Sequence, residues 1–172
     1  MKRLFYLLAA AAFTACGSAT TLSVMTFNMR YDNPEDGADN WRFRRGRVAE
    51  VIASHGVDVF GTQELLANQL GDLKRLLPGY AAAGVGREDG AEAGEFSAVF
   101  YRRDRFTPLE SGTFWLSETP DVAGSKGGDG ACERVATWVV LHDREGGREF
   151  LFVNTHLDHV GPVSYTHLTL PT

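Results

Sequence analysis

Polar side chains suited to metal chemistry stand at the ends of two apolar, strand-like segments of the sequence. Asn28 is the last polar residue of the segment LSVMTFNM, and Glu64 ends the segment that finishes in GTQE. Taken singly, Asn28 is typical of a turn, and Glu64 of the first turn of a helix, where the dipole favours a carboxylate. Placed at adjacent strand ends, they predict an oxygen-rich site suited to Mg²⁺, which keeps several waters and takes few protein ligands.

A second polar group follows the apolar segment FLFV, where the sequence continues as NTHLDH. Strand alternation directs Asn154, His156 and Asp158 to one side. A histidine beside a carboxylate at a strand end favours an electrophilic or proton-transferring role. We therefore expect His156 and Asp158 to be catalytic and Asn154 to bind substrate. A zinc site is the competing interpretation, but the sequence has no HExxH motif or Cys/His pairing to support it.

Strands and helices that could position these groups alternate along the chain. Helical spacing predicts a helix over Trp41 to His55, with Gly56 just past its end, and a second over Leu65 to Leu77, stopped by Pro78. The loop from Asp32 to Asn40 is acidic and rich in turn formers. Strands are expected at Leu22–Met29, with both faces covered, and at Val57–Gly61, Tyr80–Gly84, Phe96–Tyr101, Phe106–Trp115, Arg134–His142 and Phe150–His156. The order βαβα followed by strands predicts mixed sheets with covering helices in one α/β domain.

Composition limits the class of protein. The chain has 172 residues, 44% of them apolar, with 17 Lys and Arg against 22 Asp and Glu. These values indicate one globular domain and exclude a disordered chain. The net charge of −5 argues against a basic nucleic-acid coat protein. Two cysteines, Cys16 and Cys132, are too few for a disulfide scaffold.

The N-terminus is typical of an export signal. Lys2 and Arg3 precede the ten-residue apolar run LFYLLAAAAF, which is too short to cross a bilayer as a helix. We assign residues 1–19 to a signal peptide with a loose bacterial lipobox ending at Cys16, whose thiol would carry lipid. Cleavage after Ala19 is the alternative and gives a soluble secreted protein. In both cases the mature domain is extracytoplasmic, with 15 basic residues against 22 acidic ones.

The C-terminal segment VSYTHLTLPT, residues 163–172, contains no charged residue. All ten residues can be back-translated to a transposon end sequence that is used to tag sequencing libraries. We therefore expect a non-native adapter scar here, with the native gene continuing beyond codon 162. Residues 20–162 are then the native domain sequence, and Tyr165 and His167 have no functional role.

Six segments in order resemble the endonuclease/exonuclease/phosphatase superfamily, and most closely its secreted bacterial hydrolase branch. They are SVMTFNMRYDN, GTQE, VFYRRDRF, FWLSETPD, RVATW and NTHLDH, within about Leu22 to Val160. The resemblance implies a DNase I-like, four-layer α-β-β-α sandwich with mixed, mostly antiparallel sheets. It also implies hydrolysis of phosphoric esters with Mg²⁺ or Mn²⁺.

The same resemblance implies roles for individual residues. Glu64 would bind the metal, and Asn28 would position the metal or the attacking water. Tyr101 and Arg134 would contact the scissile phosphate, and His156 would hydrogen-bond it. Each of the last three also has a structural alternative. Tyr101 would belong to the core, Arg134 would pair with a carboxylate such as Glu133, and His156 would be a buried histidine with its hydrogen bonds made inside the protein.

The sequence departs from the family pattern in two places. The later Asp-x-Asn motif and the terminal Asp-His pair, which supply the water-activating Asp and a second catalytic His, are absent. We expect them beyond Pro162, so that the chain is an N-terminal fragment, truncated within the sandwich and inactive by itself. Gly127-Gly128 stands where relatives often have Gly-Trp, which removes a stacking contact.

Two functional hypotheses remain open. The first is a metal-dependent phosphoric-ester hydrolase in which water attacks phosphorus in line, acting as a monomer with lipidated Cys16 as its membrane attachment. The second is a non-catalytic surface lipoprotein that keeps the fold as a binding module. Nucleic acid, phospholipid headgroup, sugar phosphate and inositol phosphate all remain open as substrates.

Four arginines near the start of the first predicted helix oppose its dipole. They are Arg42, Arg44, Arg45 and Arg47. Pairing with Asp32, Glu35, Asp36 and Asp39 of the acidic loop is the structural explanation. Phosphate recognition outside the metal site is the functional one.

Overall fold

The computed structural model describes residues 20–160 as seven strands, two α-helices and one 3₁₀ helix. The expected signal peptide with Cys16 and the expected adapter scar lie outside the described residues. The elements are β1 (Val24–Asn28), a 3₁₀ helix (Pro34–Asp39), α1 (Trp41–Ser54), β2 (Val59–Gln63), α2 (Ala67–Leu76), β3 (Tyr80–Ala83), β4 (Val99–Arg102), β5 (Phe106–Trp115), β6 (Val135–Asp143) and β7 (Arg148–Thr155). Neither α-helix in this range is long and apolar enough to cross a membrane.

The strands form two sheets, one of order β1-β2-β4-β3 and one of order β5-β6-β7. Only β1 and β2 pair in parallel; the other neighbours are antiparallel. The expected mixed, mostly antiparallel arrangement is therefore confirmed. The parallel pair matters for function because β1 and β2 end at the same edge of the first sheet.

Three layers pack against one another in the described range. Both helices cover one face of the first sheet, where Trp41, Ile52 and Leu73 pack with Phe60 and Phe100. The second sheet covers the other face, in a core formed by Val59, Ala81, Val99, Tyr101, Phe106, Val139 and Leu141. Residues 20–160 thus supply an α-β-β arrangement. On β7, Leu151 and Val153 are 59% and 46% exposed.

Several element bounds differ from those expected. β1 is an edge strand in the described part of the first sheet. Val24 is 56% exposed, so β1 is not covered on both faces as expected. β2 runs from Val59 to Gln63, two residues later than expected at both ends. The acidic loop contains a 3₁₀ helix, which begins at Pro34 and is capped by the side chain of Asn33. Gly56 has φ +56°, as expected for the residue past the end of α1.

An ion cluster joins the sheets at the edge opposite the ends of β1 and β2. The Arg105 side chain is 5% exposed and donates at 2.8 Å to both Asp58, before β2, and Asp143, at the end of β6. The N–H groups of Glu145 and Gly146 also stabilise the Asp143 carboxylate. These contacts, led by the Arg105 hydrogen bond, lower the pKa of Asp143 to about 2.

This pKa predicts a loss of stability in acid. Above about pH 4, Asp143 is ionised in the folded and unfolded chains, and its stabilisation is complete. As the pH falls towards 2, the unfolded chain binds a proton first, and about 2 kcal/mol is lost. Unfolding by urea at several pH values should show that Asp143→Asn is less stable than wild type at pH 7, with a difference that shrinks by pH 2.5. A constant difference would contradict the prediction.

Candidate functional site

The ends of β1 and β2 place Asn28 beside Glu64. Asn28 pairs in register with Gln63, and Glu64 directly follows. The Asn28 side chain donates from Nδ2 to Glu64 Oε1 at 2.8 Å, and the Tyr31 backbone N–H donates to Oε2 at 3.4 Å. Asn28 Oδ1 accepts the Arg30 N–H at 2.8 Å. The Asn28 amide therefore connects the Glu64 carboxylate to the backbone that follows β1.

Glu64 has an unusual backbone conformation. Its φ is +56°, and that of Arg30 is +53°, in the left-handed region that non-glycine residues seldom adopt. Such conformations cost about 1–3 kcal/mol and persist where neighbouring structure fixes them. Helix α2 begins only at Ala67, so the interpretation of Glu64 as a first-turn helical residue is wrong. Leu65 instead forms an isolated bridge with Phe96, which holds the turn.

A second cluster lies where β6 begins and β7 ends, since these strands are antiparallel. The Arg134 guanidinium, only 8% exposed, contacts His156 Nδ1 at 3.2 Å through one terminal nitrogen and His159 Nδ1 at 3.1 Å through the other. Its Nε lies 3.5 Å from Asp158 Oδ2. Arg134 thus pairs with a carboxylate, as the structural alternative held, although the partner is Asp158.

The contact with Arg134 determines the protonation of His156. A guanidinium only donates, so His156 Nδ1 must accept and the ring proton must lie on Nε2. Burial, followed by the positive charge of Arg134, lowers the pKa of His156 from its ordinary value. Glu64 and Glu95 act in the opposite direction, which places both carboxylates within electrostatic range of the ring. His156 is therefore neutral at neutral pH and has an Nε2–H donor.

Asp158 is almost fully buried, with its side chain 1% exposed. Its Oδ2 accepts the Ala131 N–H at 3.0 Å, and its Oδ1 accepts the Val160 N–H at 2.8 Å. In this position Asp158 supports Arg134 and closes the loop after β7. The expected catalytic role of Asp158 stays a prediction.

Sequence reasoning missed an ion pair beside His156. Glu95 Oε2 lies 2.7 Å from an Arg87 terminal nitrogen and 4.0 Å from His156 Nδ1. The Trp115 indole N–H also donates to the Arg87 carbonyl at 2.6 Å. The only signal in the sequence was a carboxylate directly before an apolar segment, at Gly94-Glu95-Phe96. The pair adds both signs of charge to the edge of the site.

Tyr101 does not join this cluster. Because β4 is antiparallel to β2, Tyr101 lies opposite Val59, at the start of β2, whereas Glu64 follows the other end. The Tyr101 side chain packs between the sheets, and burial raises the pKa of its phenol. The structure therefore places Tyr101 in the core, and we leave it out of the proposed phosphate contacts.

Asn154 connects the two sheets beneath the site. Its Oδ1 accepts from Gln63 Nε2 at 2.8 Å, and its Nδ2 donates to the carbonyls of Thr62 at 2.7 Å and Ala98 at 3.1 Å. A Cβ on Gly61 would lie 2.4 Å from Asn154 Oδ1, so the glycine makes room for this amide. The side chain of Asn154 is thus engaged with protein, and we assign it to positioning in place of the expected substrate contact.

The arginines of α1 make other contacts than expected. Arg45 pairs at 3.0 Å with Asp72 of α2, away from the acidic loop. Arg44 donates to the backbone carbonyls of Met29 and Arg30, directly after β1. The expectation of pairing with the acidic loop is therefore wrong for Arg45. Arg44 does contact that loop, because its Nε donates to the Asp39 carbonyl at 2.8 Å. Arg44 supports the backbone next to Asn28.

Two stacked sheets with polar groups at one edge define an α/β sandwich of the DNase I-like kind. The chain belongs to the endonuclease/exonuclease/phosphatase family, whose model matches residues 25–168. Members of this superfamily are hydrolases of phosphoester bonds. The match ends inside the segment that we expect to be non-native.

Solved structures of bacterial proteins support this assignment. An endonuclease/exonuclease/phosphatase from Bacteroides vulgatus is 48% identical, with a TM-score of 0.84. The match covers 85% of this chain and 56% of the Bacteroides vulgatus chain. A mannosyl-6-phosphatase from Bacteroides thetaiotaomicron is 46% identical with a TM-score of 0.81, over 84% of this chain and 54% of its own. The chain therefore spans about half the length of these solved relatives.

More distant similarity extends to a eukaryotic nuclease. A curated relative, the 3'-5'-exoribonuclease subunit Ccr4 of the CCR4-Not complex from Aspergillus clavatus, is 25% identical over 84% of this chain and 26% of its own length. The human Nocturnin catalytic domain, at 20% identity and a TM-score of 0.64, shares the fold.

Proposed function

We propose that this chain supplies one half of the active site of a metal-dependent phosphoric-ester hydrolase. The observation that carries the proposal is that two polar clusters lie at one edge of the stacked sheets. In one, Glu64 accepts from Asn28 at 2.8 Å, and in the other, His156 Nδ1 lies 3.2 Å from Arg134. An anion-stabilising donor and a metal-binding carboxylate at one edge are what phosphoryl transfer to water needs.

Glu64 is the residue that fits a divalent metal. Residues 20–160 include no group of three or more His, Cys, Asp or Glu side chains that could hold an ion. A single oriented carboxylate still suits Mg²⁺ or Mn²⁺, because Mg²⁺ keeps several waters and uses one or two carboxylates beside substrate phosphate. When bound, the metal would supply Lewis-acid stabilisation of phosphoryl oxygens. Asn28 would orient Glu64, because its Nδ2 donates to the Glu64 carboxylate while its Oδ1 accepts the Arg30 N–H.

His156 and Arg134 would stabilise charge on the phosphoryl group. The Nε2–H of His156 donates to a phosphoryl oxygen while Arg134 holds the other ring nitrogen. Each terminal nitrogen of Arg134 has a second N–H beyond the one directed at a histidine. Water attacks phosphorus in line, the P–O bond to the alcohol breaks, and the alcohol leaves. We propose that the water-activating Asp lies outside this chain, which spans about half the length of its solved relatives.

A phosphomonoester of a sugar is our candidate substrate. In support, a relative 46% identical is a mannosyl-6-phosphatase. The net charge of −5 disfavours long nucleic acid, because counterion release needs clustered basic residues. We further propose an extracytoplasmic monomer, attached to the cell envelope through lipidated Cys16 or secreted.

A comparison of substrates tests this function in the full-length protein. We expect Mg²⁺- or Mn²⁺-dependent release of phosphate from hexose 6-phosphates, with kcat/KM at least tenfold above that for bis(p-nitrophenyl) phosphate or single-stranded DNA. Dialysis against EDTA should abolish turnover, and added metal should restore it. Binding of a sugar phosphate without turnover under any metal condition would favour the binding-module hypothesis.

A further inference from the structure

Helix α2 contains a polar side chain that is completely buried. Gln69 is 0% exposed and lies in the same helix as the core residue Leu73. A buried amide without partners is costly, so its hydrogen bonds indicate what the position requires. Helical periodicity explains the position of Gln69 on the buried face but not its residue type.

The amide of Gln69 joins the two loops that carry the metal-site residues. Its Oε1 accepts the Asp32 N–H at 3.1 Å and the Leu66 N–H at 3.0 Å. Its Nε2 donates to the Arg30 carbonyl at 3.0 Å. One side chain thus contacts the segment after β1 and the segment after β2. The Leu66 contact also caps α2, whereas the other two contacts have no role in the helix.

These bonds fix the backbone groups that orient Glu64. The Arg30 N–H donates to Asn28, and the Tyr31 N–H donates to Glu64. Gln69 bonds the backbone on both sides of these groups, at the Arg30 carbonyl and at the Asp32 N–H. Arg30 has φ +53°, which needs support from its surroundings. Gln69 and Arg44 both donate to the Arg30 carbonyl and provide that support from the two helices.

We propose that Gln69 is a positioning residue that sets the Glu64 carboxylate for the divalent metal. This inference rests on the proposed metal-dependent function. It goes further by assigning metal affinity to a buried residue that is not itself a ligand. Partners that orient a metal ligand are worth about 10- to 100-fold in metal affinity.

Mn²⁺ binding, followed by electron paramagnetic resonance in the native protein without substrate, provides the test. Gln69→Leu removes all three hydrogen bonds at similar volume, and we expect a Kd for Mn²⁺ about 10- to 100-fold higher. Leu73→Ala is the matched control in the same helix: it should lower the melting temperature but leave the Kd of the folded protein unchanged. Wild-type affinity in Gln69→Leu, or an equal loss in Leu73→Ala, would overturn the inference.

Gln69→Asn decides the question if Gln69→Leu does not fold. The shorter amide keeps a donor and an acceptor but cannot span the groups of Arg30, Asp32 and Leu66 that Gln69 joins. A weaker Kd supports the proposal, and a wild-type Kd overturns it. A wild-type protein that binds no Mn²⁺ overturns the metal-dependent function itself and the inference with it. Normal wild-type binding that is insensitive to residue 69 overturns the inference alone.

Discussion

Glu64→Gln in the native protein is expected to lower kcat/KM by about 10³-fold while the protein stays folded. The substitution keeps the shape of the side chain, and the left-handed backbone strain is common to both residues. It removes the negative charge that would hold the metal. Titration with Mg²⁺ should show a midpoint shifted to much higher concentration, with partial recovery of rate. Kinetics and thermal melting on the same samples provide the measurement.

Glu110→Gln is the matched control, because Glu110 is exposed on β5 and lacks the Asn28 contact of Glu64. It should keep wild-type rate and metal dependence. Wild-type turnover in Glu64→Gln with a small loss of melting temperature would remove Glu64 from the site. In that case the carboxylate would serve only the turn before α2.

Arg134→Lys is the second large effect that we expect, with kcat lower by about 10²-fold. Lysine keeps the charge but has no planar fork, so it cannot direct two nitrogens at His156 and His159 together. The Mg²⁺ midpoint should stay unchanged, in contrast to Glu64→Gln. Nitrogen-15 NMR of the His156 ring should show that the Nε2–H tautomer is no longer dominant.

Arg148→Lys, at the opposite end of β7, is the control for charge and general stability and should change neither rate nor tautomer. An Arg134→Lys protein with wild-type kcat and an unchanged ring spectrum would contradict the proposed hold on His156. A shift of the Mg²⁺ midpoint would contradict the proposal that Arg134 acts on the phosphoryl group and not on the metal site.

The sequence allowed the adjacency of Asn28 and Glu64 to be predicted, since each ends an apolar segment and the strands are neighbours. The expected phosphate contact of Tyr101 came from the resemblance alone, and motif order does not show that β4 runs antiparallel to β2. Asn154 shows a second limit. Strand alternation predicts which residues share a face of β7 with Asn154. It does not show that this face packs against the first sheet, where Asn154 bonds Gln63 and Thr62.

Gln69 illustrates a third limit. It lies on the buried face of α2, where an apolar residue would satisfy the helical spacing equally well. Its role depends on three backbone groups, two of them in a loop more than thirty positions away in the chain. Long-range hydrogen bonds of this kind leave no local signature in one sequence.

The close fit of Gly61 against Asn154 has a consequence for how this chain can vary. Any side chain at position 61 would occupy the space of the Asn154 amide and would break its hydrogen bonds with Gln63 and with the carbonyls of Thr62 and Ala98. Substitutions at positions 61 and 154 should therefore be tolerated only as a pair, with a small residue at 154 making room for a larger one at 61. Recombination between relatives with a crossover between these positions would separate the matched residues, so viable chimeras should inherit both from one parent.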